Sequence, residues 1–172
     1  MTSRRRSVIL AMMTLAIVCC LPQSGTAQRR PYRMTDRQIA QVVPAAFYFQ
    51  GQTALTQMRN SSAIRFGEDR HVIAGLVDTS GYAADVRAKY EGFLIVDLPI
   101  TINGQELGVG AYGFGFSNDG KLNIMNIAGE QLLSVNTTKD NALRRPRPLM
   151  LVEAGNEVRF YSGKDYALIA AK

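Results

Sequence analysis

The chain has 172 residues, of which 47% are hydrophobic and 20% are charged, a composition typical of one globular domain and not of a disordered chain. Its 2 cysteines and 1 histidine are too few for a disulfide-stapled scaffold, a zinc ribbon or a multi-haem protein. The net charge of +6 is compatible with an anionic partner, but part of it lies in the first six residues.

The first 27 residues have the pattern of a cleavable export signal. Three arginines, Arg4 to Arg6, form a positive region, and an apolar run over 8–21 follows them. The run has about 14 residues, too few for a confident membrane span. Small residues flank Thr26, and signal peptidase needs small side chains just before the cut. The pattern therefore predicts a signal peptide over 1–27, cleaved after Ala27, and a secreted or periplasmic protein.

Other interpretations of this segment stay open. The segment could be retained as an anchor helix, and Arg5-Arg6 allows twin-arginine export as well as the general route. Lipid attachment at Cys19 or Cys20 is disfavoured because Val18, which is not a small residue, precedes Cys19. Cleavage would remove both cysteines, so we expect a mature chain with no disulfide bond and no transmembrane span. An exported protein seldom meets nucleic acid, so we expect no nucleic-acid partner.

A short helix is predicted near the start of the mature chain. The polar residues 28–33 predict a flexible N-terminal segment. Thr35 followed by Gln38 forms a capping-box pattern, which favours the start of a helix. Pro44 disfavours helical geometry in the residue before it, so the helix has about two turns. We assign the remainder, 34–172, to a single β-rich domain.

Strand patterns dominate the rest of the chain. Short runs rich in aromatic and β-branched residues alternate with turn-forming residues, among them Asn103-Gly104 and Asp119-Gly120, which are typical of hairpins. This spacing predicts a mainly β fold, an antiparallel β-sandwich or barrel with one short N-terminal helix. No series of β-α-β units is visible, which argues against a nucleotide-binding parallel sheet. The predicted strands are 46–50, 63–66, 71–77, 93–97, 100–103, 109–116, 121–127, 131–136, 149–153, 157–161 and 165–170.

The segment 84–91 fits two patterns. Apolar and charged residues alternate through all of its positions, which favours a strand. Helical spacing also groups Tyr82, Val86 and Tyr90 on one face, with Gly92 as a stop. We predict a strand and keep the helix as the alternative.

One hairpin resembles a known pattern. The residues from Gly104 to Tyr112 read Gly-x-x-Leu-x-x-Gly-x-Tyr after a short strand. This is similar to a hairpin in several uncharacterised families of bacterial secreted β-domains, although Val109 stands where alanine is usual. The resemblance implies a secreted β fold and transfers no site residue, because these families carry no established catalytic residues.

Few residues could carry chemistry. His71 is the single histidine, so a transition-metal site or a Ser-His-Asp triad is not expected, and we interpret its ring as solvated at an edge position. Asp78 lies in a sequence that approaches an aspartic-protease motif, but no second copy supplies a partner carboxylate. Asp78, Asp97 and Glu106 are the carboxylates that a hydrolase hypothesis would use. We expect no catalytic residue, metal or cofactor.

Two clusters are candidates for binding. Tyr112, Phe114 and Phe116 share one face of a predicted strand, with glycines on the other face, which is typical of core packing but also of an aromatic ligand platform. Arg144, Arg145 and Arg147, interleaved with two prolines, predict an exposed extended loop that could contact an anionic partner.

Three functions follow from these observations. The leading hypothesis is an exported, non-enzymatic bacterial protein that acts as a binding module or as an envelope-associated structural module. Its partner is unknown, and an anionic envelope component is the candidate. The first alternative is a barrel-type carrier of a small ligand, with a cavity lined by Phe47 and Phe49 or by Tyr112, Phe114 and Phe116. The second alternative is a hydrolase with an unrecognised pair of carboxylates.

Overall fold

The computed structural model describes residues 30–67 and 69–172, and it confirms a mainly β fold of two antiparallel sheets that form a β-sandwich. The helices are α1 (Asp36–Val42) and α2 (Ala84–Arg87). The strands, in chain order, are β1 (Pro31–Arg33), β2 (Ala46–Phe49), β3 (Gln52–Phe66), β4 (Arg70–Val77), β5 (Gly92–Val96), β6 (Ile100–Ile102), β7 (Gln105–Leu107), β8 (Gly110–Ser117), β9 (Lys121–Met125), β10 (Gln131–Asn136), β11 (Thr138–Lys139), β12 (Arg147–Ala154), β13 (Glu157–Gly163) and β14 (Asp165–Ala171).

The two sheets are built mostly from neighbouring hairpins. Sheet 1 has the order β1-β3-β4-β5-β8-β9-β10, and β2 pairs with β3 at its side. Sheet 2 has the order β12-β13-β14-β6-β7, and β11 pairs with β14. Asn103 and Gly104 both take positive φ, +47° and +83°, in the turn between β6 and β7, as the Asn-Gly signal predicts.

Helix α1 begins where the sequence predicts it. The Thr35 side chain accepts a hydrogen bond from Gln38 N at 3.4 Å, and Gln38 Oε1 accepts one from Thr35 N at 2.9 Å. These two bonds satisfy donors that the first helical turn leaves free. The helix ends at Val42, two residues before Pro44.

Apolar side chains fill two cores. The first lies between the sheets and includes Phe114, Leu151 and Phe160, each at most 1% exposed. The buried Ser62 of β3 links the sheets, because its Oγ accepts a hydrogen bond from Leu151 N at 3.2 Å. If the Ser62 hydroxyl were removed, the buried Leu151 N–H would lose this acceptor, and a buried donor that lacks an acceptor destabilises the fold.

The second core covers the outer face of sheet 1. Phe49 stacks on Tyr90 with ring centroids 3.9 Å apart, and Phe47 stacks on Phe93 at 5.0 Å. Ile39 of α1 joins the same cluster. Sheet 1 is therefore covered on both faces, by sheet 2 on one side and by α1 and the β2–β3 hairpin on the other.

The strand prediction for 84–91 is wrong. Residues Ala84–Arg87 form the short helix α2, so the helical alternative is observed for the first half of the segment. Tyr82 and Tyr90 are buried in the second core with Val86 packed against them, while the charged residues between them face solvent. Both tyrosines have to reach one core from one side, and a helical turn brings residues four apart onto one face.

The prediction of a flexible segment over 28–33 is also wrong for its last three residues. Strand β1 pairs in register with β3, from Pro31 opposite Phe66 to Arg33 opposite Ile64. A proline is tolerated here because β1 is an edge strand. The charged residue of this strand, Arg33, thus has a fixed place in the fold.

The predicted signal peptide, its cleavage after Ala27, and Cys19 and Cys20 all lie outside the described residues. Within 30–67 and 69–172, no helix is long and apolar enough to cross a membrane.

Candidate functional site

An arginine-lined groove lies where β12 of sheet 2 approaches β1 and β3 of sheet 1. It consists of two adjoining cavities of about 340 Å³ and 230 Å³ that share Arg33, Arg59, Ser61 and Arg147. Arg145 lines the smaller cavity only. We call these five residues together the arginine groove; they come from β1, β3, the first residue of β12 and the segment just before it.

A distortion in β3 helps to form the groove. The pairing of β3 with β4 is regular from Ser61 onward, but its register shifts between Thr56 and Ser61. Ser61 Oγ donates to the Met58 carbonyl at 2.7 Å, and Asn60 Nδ2 donates to Gln57 Oε1 at 2.8 Å. Irregularities of this kind re-aim side chains beside binding sites. They place Arg59 at the groove and leave Met58 42% exposed.

The opposite wall is distorted as well. The register of β12 against β13 shifts between Arg147 and Met150. Pro146 and Pro148, which flank Arg147, have no backbone N–H and therefore cannot donate to a regular ladder. Both walls of the groove thus depart from regular pairing beside its arginines.

A hydrogen-bond network holds the turn that leads into β12. The Asp140 carboxylate accepts bonds from Tyr161 Oη at 2.8 Å, Ala142 N at 3.0 Å and Leu143 N at 3.1 Å. It also lies 3.4 Å from Arg159 Nη1. Because Leu143 directly precedes the arginine-rich segment, this network limits how far that segment can move.

The groove is electropositive. Among the described residues, no ion pair engages the side chain of Arg33, Arg59, Arg145 or Arg147. Asp36 is the carboxylate in the lining of the larger cavity, and the smaller cavity is lined by the four arginines without a carboxylate. The Glu153 carboxylate accepts a hydrogen bond from Arg33 N, so one acidic side chain lies next to this lining. Arginine side chains that line one groove without ion-pair partners can bind phosphate or carboxylate groups.

The structure separates the three arginines that the sequence singles out. Arg145 and Arg147 line the groove, whereas Arg144 is exposed and does not belong to its lining. The sequence analysis missed Arg33 and Arg59, which are distant from that cluster along the chain. No local motif marks them, and only the pairing of β1 with β3 and their approach to β12 bring them together.

The aromatic residues lie in the cores. Phe114 is fully buried and meets Phe160 edge-on, with centroids 4.9 Å apart. Tyr112 and Phe116 are half-buried against the same core, and Tyr112 Oη donates to the Gly108 carbonyl at 2.9 Å. Phe47 and Phe49 are buried in the second core. Phe114 therefore has no exposed surface on which a ligand could stack.

His71 is not at an edge of its sheet. It lies in β4, between β3 and β5, and its Nδ1 is 3.1 Å from Asp97 Oδ2. The His71 backbone N–H also donates to Asp97 Oδ1. The expectation of a solvated ring at a strand edge is therefore wrong, and the pair ties the start of β4 to the end of β5.

The three carboxylates of the hydrolase hypothesis do not pair. Asp78 follows β4, while Asp97 pairs with the opposite end of that eight-residue strand, which separates them by roughly 20 Å at about 3.4 Å per residue. Asp78 accepts from Ser80 N at 3.0 Å, a turn bond that lowers the pKa of Asp78. Glu106 contacts Lys172 Nζ at 2.6 Å.

Another carboxylate, Glu91, was not singled out by the sequence. It lines a cavity of about 280 Å³ and accepts a hydrogen bond from Phe116 N at 3.1 Å. Burial raises the pKa of Glu91. None of the other described residues that line this cavity carries a carboxylate, so it contains no acid pair. Glu91 thus satisfies a backbone donor at the end of β8.

No cluster of three or more His, Cys, Asp or Glu side chains that could hold a metal occurs in the part of the chain that the structure describes. Comparison with known proteins finds no matching family model, curated protein or solved structure. The arginine groove therefore has to be interpreted from its own chemistry.

The Asp140 network predicts a pH-dependent contribution to stability. The bond from Tyr161 Oη, supported by the N–H groups of Ala142 and Leu143 and by the charge of Arg159, holds the pKa of Asp140 below its usual range. A carboxyl with a depressed folded-state pKa contributes stability above its unfolded pKa and loses it as the pH falls through the folded value. We expect Asp140→Asn to lower the thermal midpoint at pH 7, and the gap from wild type to narrow below about pH 4.

This expectation is tested by thermal melts monitored by circular dichroism between about pH 7 and about pH 2.5. That range roughly spans the titration of aspartate. Asp85→Asn, a change at an exposed carboxylate of α2, serves as the control and should leave the midpoint nearly unchanged at every pH. A gap for Asp140→Asn that stays constant with pH would contradict the assignment.

Proposed function

We propose that this domain is a non-enzymatic binding module that holds an anionic component of the bacterial cell envelope in the arginine groove. The observation that carries the proposal is the convergence of Arg33, Arg59, Arg145 and Arg147, none of which has an ion-pair partner among the described residues. The part of the proposal that places the protein in the cell envelope is inferred from the predicted export signal over 1–27.

The chemistry of arginine suits this role. A guanidinium group stays charged at any physiological pH and donates two parallel hydrogen bonds to a phosphate or carboxylate. Two cavities that share three arginines let one anionic chain contact several of them at once. Such contacts weaken as salt concentration rises, because the charges at the groove mouth are screened.

The distorted walls of the groove support binding as well. The bond from Ser61 Oγ to the Met58 carbonyl and the bonds from Ala142 N and Leu143 N to the Asp140 carboxylate fix the backbone beside the groove. A site whose backbone is already ordered loses less entropy on binding than a mobile loop does.

Affinity for inorganic polyphosphate, measured by isothermal titration calorimetry on the purified protein, tests the proposal. We expect Arg147→Ala to weaken binding about tenfold, the effect of losing one charge-assisted contact. Arg59→Ala should have a similar effect, and affinity for the wild-type protein should fall steeply with added salt.

Arg144→Ala is the matched control. It removes the same charge from the same segment, but from a residue outside the groove. We expect a loss of less than about twofold, the usual size for an exposed charge. Equal losses for Arg144→Ala and Arg147→Ala would mean that net charge and not the groove attracts the polymer, and would overturn the proposal. Absence of binding by the wild-type protein would overturn it as well.

A further inference from the structure

The two cavities of the arginine groove differ in character. The smaller one has four arginines and no carboxylate in its lining. The larger one includes Asp36, which offsets part of the positive charge, and its lining also contains Ile39, Ala40 and Met58. The lining of the smaller cavity also includes Leu149, Met150, Leu151 and Val152. The two ends therefore differ in net charge, and both include apolar side chains.

Met58 is the feature that electrostatics alone does not explain. It is 42% exposed and lines the larger cavity, in the part of β3 where Gln57 and Arg59 beside it are exposed as well. The register shift of β3 and the bond from Ser61 Oγ to its carbonyl hold it in this position. Together with Ile39 and Ala40 it gives the larger cavity an apolar wall, and small-molecule pockets are lined mainly by apolar side chains.

We infer that the groove takes an amphiphilic anion, with its phosphate or carboxylate group among Arg33, Arg59, Arg145 and Arg147 and its apolar part over Met58. This inference rests on the proposed function and narrows the ligand from any polyanion to one with an adjoining hydrocarbon chain. The volume of about 340 Å³ in the larger cavity is of the size found for small-molecule sites.

The test compares two ligands with the same head group. Octyl phosphate and methyl phosphate are titrated by calorimetry into the purified protein, with octyl phosphate kept below its micelle concentration. We expect octyl phosphate to bind at least about tenfold more tightly, which corresponds to burying roughly two methylene groups.

Two variants separate the parts of the site. Met58→Gln should remove most of the preference for octyl phosphate and leave affinity for methyl phosphate unchanged. Arg147→Ala should weaken both ligands by the same factor. Leu55→Gln, at an apolar residue that is 71% exposed and does not line the groove, is the matched control and should change neither affinity.

A phosphate-bearing amphiphile could be a free molecule or a membrane lipid. Co-sedimentation with vesicles of phosphatidylcholine and phosphatidylglycerol, against vesicles of phosphatidylcholine alone, distinguishes these sources. Vesicle binding that Met58→Gln abolishes would identify a lipid, and binding of octyl phosphate alone would identify a free ligand.

Equal affinity for octyl and methyl phosphate would overturn the inference. In that case Arg147→Ala still reports on the proposed function, because it would weaken both ligands if the groove binds anions. A preference for octyl phosphate that Leu55→Gln abolishes and Met58→Gln does not would also overturn the inference.

Discussion

Phe114→Ala should lower the free energy of unfolding by about 3–5 kcal/mol, the cost of removing a large aromatic side chain from a closed core. Phe114 is fully buried and meets Phe116 and Phe160 edge-on, at centroid distances of 6.1 Å and 4.9 Å. The surrounding strands belong to both sheets, so they can close over the resulting cavity only in part. Urea denaturation of wild type and variant measures the change.

Tyr48→Ala is the control, because that aromatic ring is 52% exposed and its removal should cost less than about 1 kcal/mol. If Phe114→Ala does not fold, Phe114→Leu keeps the experiment informative, with an expected cost of about 1–2 kcal/mol. Affinity for polyphosphate should be unchanged in the folded variants. A variant of near wild-type stability that loses ligand binding would favour the aromatic-platform interpretation of this residue.

Much of the fold could be predicted because it follows from local patterns. The turn at Asn103-Gly104, the cap at Thr35 and the alternation in β8 each depend on residues that are close in sequence. Strand β3 was predicted only for its last four residues, 63–66. The part of β3 before them is rich in polar residues, and it lies in a hairpin on the surface and in the distorted stretch beside the groove, where alternation is lost.

The errors come from long-range contacts that a local pattern does not contain. Alternation in 84–91 favours a strand, yet the second core needs Tyr82 and Tyr90 on one side. The polar segment that ends in β1 has no strand pattern, and it is extended because the edge of β3 is open for pairing. Both elements owe their structure to neighbours that are distant in the chain.

Two of the four arginines of the candidate site could be predicted from the sequence, and two could not, for the same reason. Arg145 and Arg147 stand in a dense basic cluster that any reading of the sequence detects. Arg33 and Arg59 are single basic residues in unremarkable surroundings, and their role depends on the approach of two sheets. Charge clusters along a chain can be identified from sequence, whereas charge clusters in space require the fold.

Gly115→Ala should destabilise the domain by about 3 kcal/mol, because β8 carries its glycines where other parts of the chain come too close for a side chain. A Cβ atom at Gly115 would overlap the backbone carbonyl of Lys89, and one at Gly113 would overlap the ring of Phe49. The obstacle at Gly115 is backbone and cannot turn aside, so either β8 or the segment after α2 has to shift. The glycines on one face of β8 therefore let the second core pack closely on this strand, while the aromatic side chains on its other face pack into the first core.

Gly108→Ala, two residues before β8, is the matched control. The nearest atom to its added Cβ would be Tyr112 Oη at 3.9 Å, an ordinary contact, so we expect a change of less than about 0.5 kcal/mol. Denaturant titrations measure the free energy of unfolding of both variants and of Gly115→Val. We expect the loss at residue 115 to grow from alanine to valine, and Gly108→Ala to show almost no loss. If Gly115→Ala unfolded at the same denaturant concentration as Gly108→Ala, the segment after α2 would have to move freely, and the close packing of the second core on β8 would be refuted.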